Sequence, residues 1–495
     1  MKEEEKLIIE EQVAGDYQSI ISNQLEYSLK KIAKNAVYLY LFILIVLALL
    51  FPSSLITSEG FLFGIFSVFF FFKLSPKLTL KWGCLTEKQF LKKIFWLSFS
   101  IRLIWVFFSY YYFTWMTGQP FEYSAADSLG YHGEVNWIIS LYNSNMLGYY
   151  FANHLKAWSD NGFLIYLFPL YYIFGDNILI PRIVNSFLGA LTVILVYKLA
   201  KRNFGENTAK IAAIFSMLMP SLVFYCGLHL KEVVMTFLLV FFIERADRII
   251  LKSSKNIIIF LEAIILLFCL FGFRTVLAVA ALLSMFLHIS LSKNSLLSNP
   301  KKILLLSVSV FLCFWMISSN LEKELMKYYS DRNSNLSQRM DHYADEKKKS
   351  GGNSLAKYGK FSVFAPIIFI APFPTVVDTK QEKFGMLNGA LFIRNILAFF
   401  CLLGLFVLFK RKLLRRHVIL IAILILYLLI LAKSGFALSE RFHYPILPFL
   451  LIFAAYGVSV FKTNYMKYYN LYLCLVFLLI VGWNVFKLAG RGLIN

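Results

Sequence analysis

The chain has 495 residues, of which 59% are hydrophobic and only 16% charged, and its formal net charge is +22. Soluble domains are about 45–50% apolar. This composition therefore excludes an ordinary soluble enzyme and indicates a protein whose surface is largely covered by lipid. The charge does not indicate nucleic-acid binding, because the basic residues cluster in short segments between apolar runs, as the positive-inside rule describes.

Residues 1–34 are polar and charged, and we expect an amphipathic cytoplasmic helix there rather than a cleaved signal peptide. Beyond them, apolar runs recur that approach or reach the roughly 17–25 residues that cross a bilayer as a helix. We predict an all-α polytopic membrane protein with about 13 transmembrane helices. In chain order the predicted spans are 35–51, 59–73, 94–115, 178–199, 207–227, 232–250, 256–273, 275–291, 303–318, 388–409, 417–433, 442–461 and 468–487.

The spans and the loops between them suggest a division of the chain. We expect an N-terminal segment (1–34), a transmembrane hairpin with a basic cytoplasmic loop (35–93), a transmembrane core (94–318), an external loop (319–387) and C-terminal helices (388–495).

The basic clusters fall on one side of the membrane if the N-terminus is cytoplasmic, which places loops 116–177 and 319–387 outside. Two further apolar stretches, 162–175 and 361–374, are too short or too rich in proline for regular spans. We expect them to be interfacial or re-entrant segments of the external loops.

Ionisable residues beside transmembrane segments are costly and are therefore functional candidates. The first external loop and the outer ends of the predicted spans carry a set of such residues: Glu122, Asp127, His132, Glu134, His229, Lys231, Glu232, Arg274, Arg441 and His443. A carboxylate can take a proton from a hydroxyl group, and lysine or arginine can bind a phosphate and stabilise its charge. If these groups converge, they suit a lipid-phosphate substrate whose tail lies among the helices.

Each candidate also has a structural alternative. Asp127 could cap the helix that follows it, and Lys231 with Glu232 could form an ordinary interfacial pair. Arg274 could reach lipid headgroups, and Arg441 with His443 could anchor the outer face. We expect Glu440 to be solvated.

The order of these features resembles the GT-C superfamily of membrane glycosyltransferases, especially the branch of protein O-mannosyltransferases and the aminoarabinose transferase of lipid A. The similarity covers about residues 94–244 and weakens beyond. It rests on five pieces: the stretch 126–131 with its acidic residue Asp127, the aromatic segment 166–175, the span opening at Pro181-Arg182, the pair Met219-Pro220 before Lys231-Glu232, and the late segment 441–448.

The resemblance implies a GT-C-type bundle that transfers a sugar from a polyprenyl-phosphate donor to a lipid, glycan or protein acceptor at the outer face of the inner membrane. It implies that Asp127 and Glu232 are the catalytic acidic residues. Lys231, His229, Arg274, Arg441, His443 and Tyr131 are then the candidates for binding the lipid phosphate or the sugar.

Two features depart from the family pattern. Ala126 precedes Asp127 where many members have a second acidic residue, which leaves metal binding open. A divalent cation such as Mg²⁺ or Mn²⁺, if used, would lie at Asp127 and Glu232. The hairpin 35–73 is also additional to the usual first span.

Two other functions remain open from the sequence. One is a polysaccharide polymerase or ligase that acts on lipid-linked glycans by similar chemistry. The other is a transporter or flippase of lipid-linked sugar, although no internal repeat of the kind common in transporters is visible.

Overall fold

A computed structural model describes residues 29–52, 55–123, 125–153, 161–252, 257–291, 367–377, 385–433 and 438–489. Regular structure in these ranges is helical, and one isolated antiparallel bridge joins Leu55 to Val377. The prediction of an all-α architecture is confirmed for this part of the chain.

We label the described helices in chain order. They are α1 (Leu29–Leu50), α2 (Ser58–Gly83), α3 (Glu87–Thr117), α4 (Ala126–Asn143), α5 (Leu147–Asn153), α6 (Asn161–Phe174), α7 (Leu179–Phe204), α8 (Glu206–Leu218), α9 (Pro220–Phe224), α10 (Glu232–Lys252), α11 (Ile257–Phe273), α12 (Thr275–Leu291), α13 (Asn388–Lys410), α14 (Val418–Lys433), α15 (Glu440–His443), α16 (Leu447–Ser459) and α17 (Met466–Ala489).

Seven described helices are long and apolar enough to cross a membrane, and an eighth span results if α8 and the segment after it form one span with a 56° bend. The seven are α1, α2, α3, α7, α13, α15 continued by α16, and α17. The chain is therefore a polytopic helical membrane protein, but the predicted number of about 13 spans is not confirmed.

The lower number has several origins. Helices α11, α12 and α14 are apolar, have 17, 17 and 16 described residues, and each adjoins a segment outside the described residues. Helix α10 has 21 residues, but its second half carries several charged side chains. The predicted span 303–318 lies outside the described residues.

The two stretches expected not to cross the membrane differ from each other. Helix α6 is a single 14-residue helix. Residues 367–377 form turns and extended chain, and the remainder of 361–374 lies outside the described residues. Backbone groups without a helical partner need another one in an apolar setting. Side-chain amides supply it, since Asn484 binds Val376 N at 2.8 Å and Pro374 O at 3.0 Å.

Small residues allow the closest helix packing, which lies between α13 and α16. A Cβ atom on Gly457 would lie 1.9 Å from the Phe400 carbonyl oxygen, and one on Gly404 would lie 2.7 Å from the Phe453 oxygen. Such small-residue contacts are typical of helix association in lipid. They fix α16, and with it the short α15 that precedes it.

Charged side chains join the ends of α7, α10 and α11. Arg202 binds Glu244 and, at 2.7 Å, Asp247, while Arg245 binds Glu262 at 2.6 Å. These contacts involve the C-terminal part of α10. Its N-terminal residue, Glu232, lies at the other end of the helix, where the first residues of α4 and α15 also lie.

Candidate functional site

Arg441 joins two carboxylates that come from distant parts of the chain. Its Nη1 donates to Asp127 Oδ2, and its Nε donates to Glu232 Oε1. The partners are separated from Arg441 by 314 and 209 residues. We call Asp127, Glu232 and Arg441 the ion triad. The fold therefore brings together three of the residues that the sequence analysis singled out.

Exposure changes steeply across the ion triad. The Glu232 side chain is 1% exposed, that of Arg441 26%, and that of Asp127 58%. The second carboxylate oxygen of Glu232, Oε2, is buried and has no hydrogen-bond partner among the described residues. Glu232 thus anchors the guanidinium from the inside, and Asp127 is the carboxylate that an incoming molecule can reach.

Each member of the ion triad lies in the first turn of a helix. Glu232 is the first residue of α10, Asp127 the second of α4 and Arg441 the second of α15. A carboxylate is favoured at a helix N-terminus by the helix dipole. Asp127 is not the N-cap of α4, because that position is Ala125 and no side chain caps it. The alternative that Asp127 is a helix cap is therefore wrong.

Two more cations surround the ion triad. Lys231 Nζ donates to the Phe273 carbonyl oxygen at 3.2 Å. The Arg274 guanidinium lies over the Phe442 ring, 4.4 Å from its centroid. The first contact attaches the end of α11 to the start of α10, and the second attaches the turn between α11 and α12 to the segment that carries Arg441. Burial, followed by the nearby charge of Arg274, lowers the pKa of Lys231 to about 8.

Tyr131 lies one helical turn after Asp127 on α4. It is partly buried, and its ring packs edge-on against Phe163 with centroids 4.9 Å apart. Burial and then the negative charge of Glu232 raise its pKa.

His229 belongs to a neighbouring aromatic cluster rather than to the ion triad. Its Nε2 lies 3.3 Å from the Tyr171 hydroxyl, which lies 2.9 Å from His132 Nδ1. Burial and the nearby positive charge of Arg182 lower the pKa of His229 well below its usual range. The ring is therefore neutral and contributes no charge for binding a phosphate.

The residues on either side of Arg441 face other partners. His443 is buried, with Nδ1 2.8 Å from Arg394 Nη2 on α13. Glu440 is not solvated as expected, since it is partly buried and accepts a hydrogen bond from Ser221 Oγ at 2.7 Å. The physical reason is that α15 packs among other helices, so that both side chains meet protein. They position the turn that carries Arg441.

A buried group behind Asp127 contains Glu122, an acidic candidate of the first external loop, and Arg182, which was not predicted to belong to the site. Glu122 is 4% exposed and accepts a hydrogen bond from Ser128 Oγ at 2.5 Å. Arg182 is fully buried and donates to the Pro120 carbonyl oxygen at 2.6 Å. These contacts hold the first turn of α4. The signal in the sequence was Arg182 itself, an ionisable residue within an apolar span.

Asp127 and Glu232, the residues suggested for binding a divalent cation, bind Arg441 in this structure. Asp127 and Glu232 each contact the same guanidinium, which a metal ion between them would have to displace. Within the ranges that the structure describes, no three or more His, Cys, Asp or Glu side chains form a group that could hold a metal.

Comparison with protein-family models and with curated proteins finds no match to this chain. The resemblance to the GT-C superfamily therefore stays a prediction.

Proposed function

We propose that this integral membrane protein is a glycosyltransferase of the GT-C type. It transfers a sugar from a polyprenyl-phosphate-linked donor to an acceptor hydroxyl, at the outer face of the inner membrane with the N-terminus in the cytoplasm. The acceptor is a lipid, a glycan or a protein.

One observation carries the proposal, namely the ion triad. Two carboxylates and one arginine from three distant segments meet at one place, and Lys231 and Arg274 lie beside them. A bundle that needed only structural ion pairs would gain little from gathering three cations around two carboxylates. A phosphate bearing negative charge would compensate the excess positive charge.

In the proposed reaction Asp127 acts as the general base. It accepts the proton of the acceptor hydroxyl while the hydroxyl oxygen attacks the anomeric carbon of the donor sugar. The bond between that carbon and the phosphate oxygen breaks, and its electron pair stays on the polyprenyl phosphate. A single displacement of this kind inverts the configuration at the anomeric carbon.

The cations act on the leaving group. Lys231, Arg274 and Arg441 bind the phosphate and stabilise the charge that it gains as the bond breaks. Glu232 holds Arg441 from the buried side. Tyr131, one turn from Asp127, is placed to contact the sugar or the acceptor.

The test compares Asp127→Asn with wild-type protein in liposomes that contain a panel of polyprenyl-phosphate sugars and candidate acceptors. We expect transfer, measured as released polyprenyl phosphate and glycosylated acceptor, to fall by roughly 10²–10⁴-fold, the usual effect of losing a positioned base. The control is Asp176→Asn, which removes an exposed carboxylate from the loop after α6 and should transfer normally.

Near-normal transfer by Asp127→Asn would contradict the catalytic role. Movement of a lipid-linked sugar across the liposome membrane without any new glycosidic bond would contradict the enzyme and favour a transporter. A ladder of extended glycans among the products would assign the same chemistry to a polymerase.

A further inference from the structure

A groove between α1 and α2 lies away from the ion triad and has no part in the proposed reaction. Its volume is about 200 Å³. The groove lies near the part of α2 that precedes α3. Helix α3 then runs from this end of the bundle to the other end, where α4 and Asp127 follow. The groove and the ion triad therefore lie towards opposite ends of the bundle.

The groove is polar at one end and apolar along its length. Lys34 of α1 and Lys73 of α2 both line it. Val37 and Tyr38 follow on α1 towards the middle of the bundle, and Phe69 and Phe72 lie opposite them on α2. Because α1 and α2 are successive helices of a hairpin, both lysines mark the level at which the apolar part ends.

Aromatic rings hold both ammonium groups at the groove. Lys34 Nζ lies 5.5 Å from the centroid of the Tyr38 ring, and Lys73 Nζ lies 5.0 Å from that of Phe69. Both lysines are exposed, and neither forms an ion pair with a carboxylate among the described residues. Two positive charges that have no ion-pair partner in the described part of the chain thus lie at the mouth of an apolar groove.

We propose that this groove binds an anionic phospholipid of the leaflet opposite the ion triad. The phosphate group lies between Lys34 and Lys73, and an acyl chain lies along Phe69, Phe72 and Val37. Basic pockets between transmembrane helices are known to bind anionic headgroups. A free phosphate would use the charges but leave the apolar walls unfilled, and a zwitterionic lipid would bring a cation against the lysines.

The experiment measures lipid bound to the purified full-length protein by native mass spectrometry, with phosphatidylglycerol and phosphatidylcholine offered in equal amounts. The test variant is Lys34→Gln with Lys73→Gln. The matched control is Lys77→Gln with Lys81→Gln, which removes two exposed lysines from the same end of α2 but outside the groove.

We expect wild type and control to retain phosphatidylglycerol preferentially. The test variant should lose roughly 30-fold in affinity for it, since each lysine near an anionic headgroup contributes about fivefold. Equal retention of phosphatidylglycerol by test and control variants would overturn the proposal, whether both bind normally or both are weakened. Equal retention of the two lipids by wild type would overturn it as well.

A competition experiment distinguishes binding of a whole lipid from binding of a soluble phosphate group. Inorganic phosphate and glycerophosphoglycerol, offered at the same concentration, should not displace bound phosphatidylglycerol, because they lack the acyl chains. Displacement by either would assign the site to a soluble phosphate and overturn the lipid proposal.

Discussion

Arg441 shows how one side chain can connect the first turns of three helices. The planar guanidinium presents separate N–H groups to two carboxylates, Nε to Glu232 and Nη1 to Asp127. A lysine ammonium is a compact point charge and cannot reproduce this fork. The geometry therefore requires arginine specifically, and the buried Glu232 is the partner that depends on it most.

The first prediction concerns this dependence. Arg441→Gln leaves Glu232 buried without its cation, and losing one partner of a buried pair costs about 3–5 kcal/mol. We expect the melting temperature of the detergent-solubilised protein to fall clearly, measured by size-exclusion chromatography after heating. Glu232→Gln added to Arg441→Gln removes the stranded charge and should recover most of the loss. A double variant no more stable than Arg441→Gln alone would contradict the pairing.

The second prediction concerns pH. A lysine is positively charged below its pKa, and the pKa of Lys231 is about 8. Affinity for polyprenyl phosphate should therefore be full at pH 7 and decline as the pH rises through 8 towards 9.5, as measured by a binding titration in detergent. Lys231→Arg, which stays charged throughout, should remove this decline. Identical pH profiles for wild type, Lys231→Arg and Lys231→Gln would exclude Lys231 as the titrating group.

Sequence reasoning could identify the members of the ion triad because charge is rare and costly at the ends of apolar helices. It could not say that Arg441 binds both carboxylates, since that pairing depends on how helices hundreds of residues apart pack. Glu122 shows the same limit. Its burial and its bond to Ser128 depend on the course of the loop before α4, which has no periodic pattern.

Among the helices, α13 and α16 make the contact that tolerates least change. A Cβ atom at position 457 would overlap the Phe400 carbonyl oxygen, which belongs to helix backbone and cannot rotate away. We expect Gly457→Ala to separate the two helices and to lower the melting temperature strongly. The control is Gly482→Ala in α17, where a Cβ meets nothing within 4 Å and alanine favours the helix. Equal stability of the two variants would contradict the packing argument.

The bounds of a helix could be predicted from the sequence where the apolar run and the hydrogen-bonded helix end at the same residue. Where the helix extends beyond the apolar run, they could not. The span 59–73 was predicted to end at Lys73, but α2 continues through Pro76 to Gly83. Hydropathy marks the part of a helix that lies in lipid, whereas backbone hydrogen bonding continues into the polar region. In helix α10 hydropathy is misleading in another way. Charged residues near its C-terminal end do not mark a solvent-exposed segment, because Glu244 pairs with Arg202 of α7 and Arg245 pairs with Glu262 of α11.

At the scale of the whole molecule, the proposed orientation can be tested by chemical labelling. Cys84, exposed between α2 and α3, should lie in the cytoplasm, and Asp176, exposed after α6, should lie outside. In a background lacking the other cysteines, a membrane-impermeant maleimide should label Asp176→Cys in intact cells. It should label Cys84 only after permeabilisation. The reverse pattern would invert the topology and place the ion triad on the cytoplasmic side.

The separation of the ion triad along the chain has a consequence for biosynthesis. Asp127 and Glu232 are inserted into the membrane long before Arg441 leaves the ribosome, because chains emerge from the N-terminus. Until then Glu232 has no counter-ion from the triad. The ion triad is therefore completed only when nearly the whole polypeptide has been made, and a chain truncated before Arg441 would leave Glu232 without the guanidinium that it binds.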